Sequence, residues 1–223
     1  MSEKKERPIL FSAPMVRAIL VGRKTVTRRA LNEQALKNIG YGVQLGECHE
    51  LPTEGPLHPN SVGYYNDFCP CGQPGDRMYV RETFMDLQGT GVEHRPDPDG
   101  PLQRYAYGAD TRPGSSGDEA RKDFGLKWKP SIHMPRAASR ILLEITDVRV
   151  ERLQDISEEQ CTAEGVRAAR DDSGTLVGRE GPGQYITPWL TRKEAFRDIW
   201  ESVGGDWEAN PWVWCIEFKR VKP

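Results

Sequence analysis

The segment 212–221 constrains the fold most, because large apolar side chains recur in it at every second position. On an extended chain, one face carries Trp212, Trp214, Ile216 and Phe218. Glu217 and Lys219 fall on the opposite face, since successive side chains of a strand alternate. The pattern predicts a C-terminal β-strand with one face buried in the core.

Other strands are predicted where β-branched or alternating residues recur, at 9–11, 25–29, 78–84 and 139–153, the last as two strands or one bent strand. Helical spacing of apolar residues, followed by glycine, predicts helices at 15–21, 155–165 and 191–203. Few β-α-β units are visible. The sequence therefore favours a mixed α/β (α+β) fold, a barrel with short covering helices, over a parallel sheet.

Two long stretches, about 31–75 and 86–130, carry glycine and proline at short intervals without sustained periodicity. They are predicted as insertions, and loops of that length are usually functional or mobile. The length of 223 residues admits one domain or two.

Charge is balanced overall, with 31 basic against 33 acidic residues, so there is no global footprint for a nucleic-acid duplex. Locally, the first 29 residues hold eight of the 31 basic side chains.

The chain has no apolar run long enough to span a membrane or to serve as a signal region, and its five scattered cysteines argue against a disulfide framework. A cytoplasmic protein with reduced thiols is expected.

Three segments together resemble the ASCH domain, a family with a PUA-like β-barrel. The segment 22–29, GRKTVTRR, has every fixed residue of the family's Gly-x-Lys-Thr-x-(Thr or Glu)-x-Arg pattern. The helix end Ala163-Glu164-Gly165 and the strand 214–218 agree in order and location. Further segments, 8–11, 74–84 and 129–135, are similar to the long form common in phages and prophages. The resemblance covers nearly the whole chain and implies a single domain, 1–223, with the two insertions.

Some small bacterial members of this family are amidohydrolases that remove the acetyl group from N4-acetylcytidine with a lysine, a threonine and a glutamate. Carried over by motif, these catalytic residues are Lys24, Thr27 and Glu164. The hydroxyl of Thr27 would attack or position water, Lys24 would be base or oxyanion donor, and Glu164 would carry the proton to the leaving amine. These roles can be exchanged. The resemblance implies no metal or other cofactor, and a modified cytidine nucleoside or RNA as partner, with no membrane and no obligatory protein.

Four further residues are candidates for substrate binding: Arg29, Thr25, Arg81 and Glu82. Arg29 could hold a phosphate or carboxylate with two hydrogen bonds, or form an ion pair inside the barrel. Arg81 and Glu82 could pair across the pocket mouth or form a surface salt bridge.

Three alternatives compete with catalysis on a nucleoside. The chain could be a PUA-like RNA-binding module, in which Trp128 and Trp189 are the better candidates for stacking bases, or a ribonuclease, which the absence of a histidine pair or acidic cluster disfavours. A zinc site could involve Cys69 and Cys71, with Cys48, His49 and His58 upstream. A Cys-x-Cys spacing is poor for zinc, so no metal is predicted.

Overall fold

The fold is mixed α/β, as the sequence predicts. A computed structural model describes residues 4–52, 57–97, 99–111, 114–168, 175–178 and 188–222. The strands are β1 (Glu6–Leu10), β2 (Val26–Ala30), β3 (Arg77–Arg81), β4 (Phe84–Asp86), β5 (Tyr105–Tyr107), β6 (Leu142–Arg152), β7 (Arg167–Ala168), β8 (Leu176–Val177) and β9 (Trp212–Val221). The α-helices are α1 (Ala13–Leu20), α2 (Glu33–Gln44), α3 (Pro59–Asp67), α4 (Ser116–Asp123), α5 (Glu158–Ala163) and α6 (Arg192–Ser202). Short 3-10 turns follow at Ser131–His133, Arg136–Ala138 and Leu153–Asp155.

Five strands form the main sheet in the order β1-β3-β6-β9-β2. Only β1 and β3 run parallel; the other neighbours are antiparallel. The segment 139–153 forms one long strand, β6, with a bulge between Ile145 and Asp147 that bends it. Strands β1 and β2 are the edges, and no backbone ladder joins them among the described residues. The described sheet is therefore open, and a closed barrel is not seen.

The buried face predicted for β9 is confirmed, and on the other face Glu217 is half-buried and Lys219 is exposed. The prediction that only one face is buried is wrong for the first half of the strand. Trp214 and Ile216 are fully buried as expected, but so are Val213 and Cys215 on the other face. The reason is the central position of β9 between β6 and β2, where charged side chains of its neighbours cover the second face. The Cys215 thiol, for example, donates a hydrogen bond to Glu151.

Helices α2 and α3 occupy the stretch 31–75 that was predicted to lack regular structure. Helix α2 begins where the side chain of Asn32 accepts a hydrogen bond from the Ala35 amide. Its Gly42 is a close-packing position, since a β-carbon there would lie 2.2 Å from the hydroxyl oxygen of Tyr64. The second stretch, 86–130, likewise contains β5 and α4.

The helices near the motif are confirmed with small shifts in their bounds. Helix α1 ends before Gly22, which has a left-handed φ of 74°. Helices α5 and α6 each begin with a capping box, formed by Ser157 with Gln160 and by Thr191 with Glu194. Within the described part of the chain, no helix is long and apolar enough to cross a membrane.

Candidate active site

A pocket of about 250 Å³ lies where the two edge strands of the sheet approach each other. The end of β1 forms one side, β2 the other, and α6 closes it with Phe196, Ile199 and Trp200. Arg29 on β2 donates a hydrogen bond from Nη2 to the Leu10 carbonyl at 2.8 Å. A side chain, instead of a backbone ladder, thus bridges the gap between the sheet edges at this pocket.

Lys24 is buried in the pocket wall with 3% of its surface exposed. Its Nζ donates to the Val26 carbonyl at 2.8 Å, to the Glu164 carbonyl at 2.9 Å and to Glu164 Oε2 at 2.5 Å. An ammonium group has three N–H donors, and all three are used here. The turn at Gly22 positions this side chain, because the amides of Arg23 and Lys24 both bond back to the Ala18 carbonyl.

Glu164 is the C-terminal cap of α5 and is also 3% exposed. Its second oxygen, Oε1, accepts a hydrogen bond from Arg28 Nη1 at 3.2 Å, and Arg28 Nη2 binds Glu151 Oε2 at 3.0 Å. The Arg28 guanidinium lies 5.8 Å from the centre of the Phe196 ring. Two buried cations therefore hold one buried carboxylate.

Arg28 is the site residue that sequence reasoning missed. It occupies a variable position of the motif, so the family pattern does not mark it. A signal was present, because Lys24, Val26 and Arg28 share one side of an extended chain.

Burial lowers the pKa of Lys24 below its ordinary value, because the ammonium group has left water. The charge and hydrogen bond of Glu164 oppose this shift, whereas Arg29 and Arg28 add to it. Burial would raise the pKa of Glu151, but hydrogen bonds from Arg149 and Cys215 and nearby positive charge bring it below the ordinary value. The site is therefore a set of coupled charges out of water.

Thr27 lies in the pocket wall and is 4% exposed. In the described part of the chain its hydroxyl makes no hydrogen bond to Lys24, to Glu164 or to another residue. Strand alternation directs its side chain to the face opposite Arg28, in the row of Ile216. The structure thus brings the three predicted catalytic residues to one pocket, with Thr27 left unbonded.

The four predicted binding residues separate. Arg29 lines the pocket, whereas Thr25 is exposed and bonds through its backbone to Ala163 and Phe218. Arg81 donates a hydrogen bond to the Ile132 carbonyl. Neither Arg81 nor Glu82 lines this pocket.

Glu82 is buried and binds Arg140 at 2.9 Å, so its suggested pairing with Arg81 was wrong. Consecutive residues at a strand end point to opposite sides, which separates Glu82 from Arg81. Arg140 also binds Asp110 at 2.6 Å. Burial raises the pKa of Glu82, although its bond to Arg140 opposes the shift.

The cysteines and histidines of the zinc alternative do not form a cluster. No group of three or more potential metal ligands occurs among the described residues. The rings of His49 and His58 stack with centroids 4.1 Å apart, and Cys48, Cys69 and Cys71 are buried free thiols.

The aromatic residues of the pocket differ from those suggested for base stacking. Trp128 and Trp189 pack in part against apolar clusters, and neither lines the pocket. Trp200, a residue of the main apolar core, does line it, and its buried Nε1 has no hydrogen-bond partner in the described residues. Phe11 completes the aromatic wall, 5.7 Å from Lys24 Nζ.

No family model, curated protein or solved structure matches the chain.

Proposed function

We propose that this chain is an amidohydrolase that removes the acyl group from N4-acetylcytidine or a related N4-acylated cytosine nucleoside, on a PUA-like barrel of the ASCH family. The observation that carries the proposal is the buried contact of 2.5 Å between Lys24 and Glu164 in the wall of a pocket that also holds the unbonded hydroxyl of Thr27. Buried, coupled ionisable pairs in a cleft are characteristic of catalytic sites.

The size of the pocket favours a small ligand. Its volume of about 250 Å³ lies below the range of about 300–1,000 Å³ for drug-sized ligands. An acylated base with the nearer part of its sugar suits such a space better than a structured RNA does. The ring of Phe11 and the indole of Trp200 offer apolar surface for a planar base.

Glu164 is assigned the proton transfers. It accepts a proton as the oxygen of water, or of Thr27, bonds to the acyl carbon. It then passes a proton to N4 as the C–N bond breaks, which releases cytidine and leaves the free acid when water attacks, or an acyl ester on Thr27 when its hydroxyl attacks. If Thr27 is the nucleophile, a water then hydrolyses its ester.

Lys24 is assigned a positioning role: its ammonium group holds the Glu164 carboxylate in place and lies beside it as the opposite charge. All three of its N–H donors bind protein oxygens, so none is left for the oxyanion in this arrangement. Burial lowers the pKa of Lys24, while its contact with Glu164 Oε2 opposes that shift and fixes the carboxylate in the pocket wall. Arg28 Nε and Trp200 Nε1, both buried and without partners in the described residues, are the candidate donors to the oxyanion.

Incubation of the purified chain with N4-acetylcytidine, followed by chromatography of free cytidine, tests the reaction. Removal of a general acid–base or nucleophilic group lowers turnover by about 100-fold or more. We expect such a loss in Glu164→Gln and in Thr27→Val. Glu158→Gln and Thr162→Val are matched controls, because both side chains are exposed on α5 and outside the pocket.

Two outcomes would overturn the proposal. Undiminished turnover in a folded Lys24→Ala variant would remove the assigned mechanism. No release of cytidine, together with retention of a structured RNA, would favour the RNA-binding module, and shortening of that RNA would favour a nuclease.

A further inference from the structure

Two thiols lie in a tight turn that the proposed reaction does not use. Cys69-Pro70-Cys71-Gly72 connects α3 to β3, and the Gly72 amide bonds to the Cys69 carbonyl at 3.2 Å. Cys69 is 3% exposed and Cys71 is 9% exposed. Each thiol is the largest cause of the other's pKa shift, through a hydrogen-bond interaction between their side chains. The two sulfurs are thus neighbours in the folded chain.

The backbone permits a bond between these sulfurs. Residues two apart are separated by at most about 7 Å even when extended, and a disulfide needs its α-carbons within about that distance. Pro70 fixes its own φ, which holds the turn in one shape. The separation of the two α-carbons therefore does not exclude a disulfide.

Two arginines near the turn contribute to a difference in pKa between the two thiols. Arg7 of β1 lies against the turn, since its Nη1 would be 3.3 Å from a β-carbon on Gly72. Arg7 makes no hydrogen bond or ion pair with the described part of the chain. The hydrogen-bond interaction with Cys69, together with the positive charges of Arg29 and Arg7, lowers the pKa of Cys71, whereas the pKa of Cys69 is raised.

Cys161 and Cys215 differ from this pair. Burial raises the pKa of Cys161 to about 12 and also raises that of Cys215. A thiol with a raised pKa is a poor nucleophile near neutral pH, because only the thiolate attacks.

We propose that Cys69 and Cys71 are a redox-active dithiol that is oxidised by low-molecular-weight disulfides, with Cys71 as the attacking and Cys69 as the resolving residue. The Cys71 thiolate bonds to one sulfur of the small disulfide, whose S–S bond breaks and releases one thiolate. Cys69 then loses its proton and attacks the Cys71 sulfur, which releases the second thiolate. The protein pair loses two electrons and the small disulfide gains them.

Oxidation of Cys71 would also change the electrostatics beside the pocket, because Arg29 lines the pocket and interacts with Cys71. The positive charge of Arg29, which bridges the two sheet edges through the Leu10 carbonyl, helps to lower the pKa of Cys71. A disulfide cannot ionise, so oxidation would remove this interaction. The dithiol itself does not depend on the acyl hydrolysis proposed above.

Oxidised glutathione is the probe, applied to the full chain in a series of ratios to reduced glutathione. Intact mass and non-reducing peptide maps are then recorded. Trypsin leaves Cys48, Cys69 and Cys71 in one peptide, because no lysine or arginine lies between Lys37 and Arg77. The assay therefore uses a Cys48→Ser variant beside the native chain. We expect both to lose two hydrogens from this peptide.

Single substitutions separate the two roles. In Cys69→Ser, a stable glutathione adduct should accumulate on Cys71, because no resolving thiol remains. In Cys71→Ser, Cys69 should stay reduced. Arg7→Met keeps both thiols and should slow oxidation several-fold, which tests the arrangement even if a cysteine variant does not fold.

Three results would overturn the proposal. They are no oxidation of the folded chain, a persistent glutathione adduct on Cys71 in the native chain, and loss of the disulfide in Cys48→Ser. The last result would mean that Cys48 is one of the partners.

Discussion

Lys24 and its neighbours take several full charges out of water. Lys24 and Arg28 carry positive charge, and Glu164 and Glu151 balance it, with contacts between 2.5 and 3.2 Å. Each buried ion costs several kcal/mol of solvation, which is offset only where hydrogen bonds and opposite charges surround it. Such a network contributes little net stability to a fold. Its presence therefore supports a role for these residues in catalysis.

The lowered pKa of Lys24 predicts how stability depends on pH. Between its folded pKa and the ordinary value of 10.5, the unfolded chain holds more protons on Lys24 than the folded chain does. The free energy of unfolding must therefore rise with pH in that window, and this contribution is lost as pH falls through the folded pKa. In Lys24→Met this rise should be absent. Urea unfolding of both proteins over a series of pH values measures the difference.

Lys37→Met is the matched control for this measurement. Lys37 is exposed on α2, so its substitution subtracts the general effect of one lost positive charge. A difference between the native chain and Lys24→Met that stays constant or falls as pH rises towards 10.5 would contradict the direction of the shift.

At the level of single residues, the motif marks Lys24 and Thr27 but not their partners. Glu164 was proposed from the resemblance of the helix end Ala163-Glu164-Gly165 to that of the ASCH family, and local pattern does not show that it contacts Lys24. The contact of Arg28 with Glu164 and that of Glu82 with Arg140 depend on which elements lie side by side, and this is a tertiary property that local pattern does not contain.

Gly22 and Gly165 place the ends of α1 and α5, and they differ in backbone conformation. Gly22 has a φ of 74°, near the left-handed region that asparagine tolerates, with no atom within 4 Å of an added β-carbon. Gly165 has a φ of 113° and is buried, with the Ala18 and Lys24 β-carbons 3.5 and 3.8 Å from an added one. The second glycine follows Glu164 directly.

We therefore predict opposite responses to asparagine. Gly22→Asn should change the free energy of unfolding little, whereas Gly165→Asn should lower it by about 1–3 kcal/mol, the cost of a strained backbone. The buried polar side chain adds to this cost. Chemical denaturation of the two variants beside the native chain measures the contrast, and equal stability of both variants would refute it.

Helices with recognisable capping residues at both ends were predictable from the sequence, whereas a helix with internal glycines was not. Helix α5 is bounded by Ser157 and Gly165, so spacing and caps agree. Helix α2 has buried residues at 35 and 39 with helical spacing, but Gly40 and Gly42 resemble breaks in the sequence. The glycine at position 42 is explained by the close approach of the Tyr64 side chain. This contact joins α2 to α3, so the sequence of α2 alone does not reveal it.

At the scale of the whole molecule, the pocket exists because the two sheet edges come together. Alternation along β1 and β2 predicts strands, but it cannot show whether edge strands pair, since closure depends on the twist of the whole sheet. The described edges meet instead through Arg29, which binds the Leu10 carbonyl and lies 5.5 Å from the centre of the Phe11 ring. The mixed fold followed from the sequence, whereas the open edge did not.

This bridge predicts a local change in dynamics when it is removed. Arg29→Met removes a partly exposed hydrogen bond, which is worth about 1 kcal/mol, or a factor of about five in the opening equilibrium. Amide hydrogen exchange should therefore become about fivefold faster in β1 and β2, while the central strands β6 and β9 keep their protection. Arg220→Met is the matched control, because Arg220 also donates to a backbone carbonyl, that of Leu20, but does not span the sheet edges. Unchanged exchange in β1 and β2 would mean that backbone packing alone holds the pocket together.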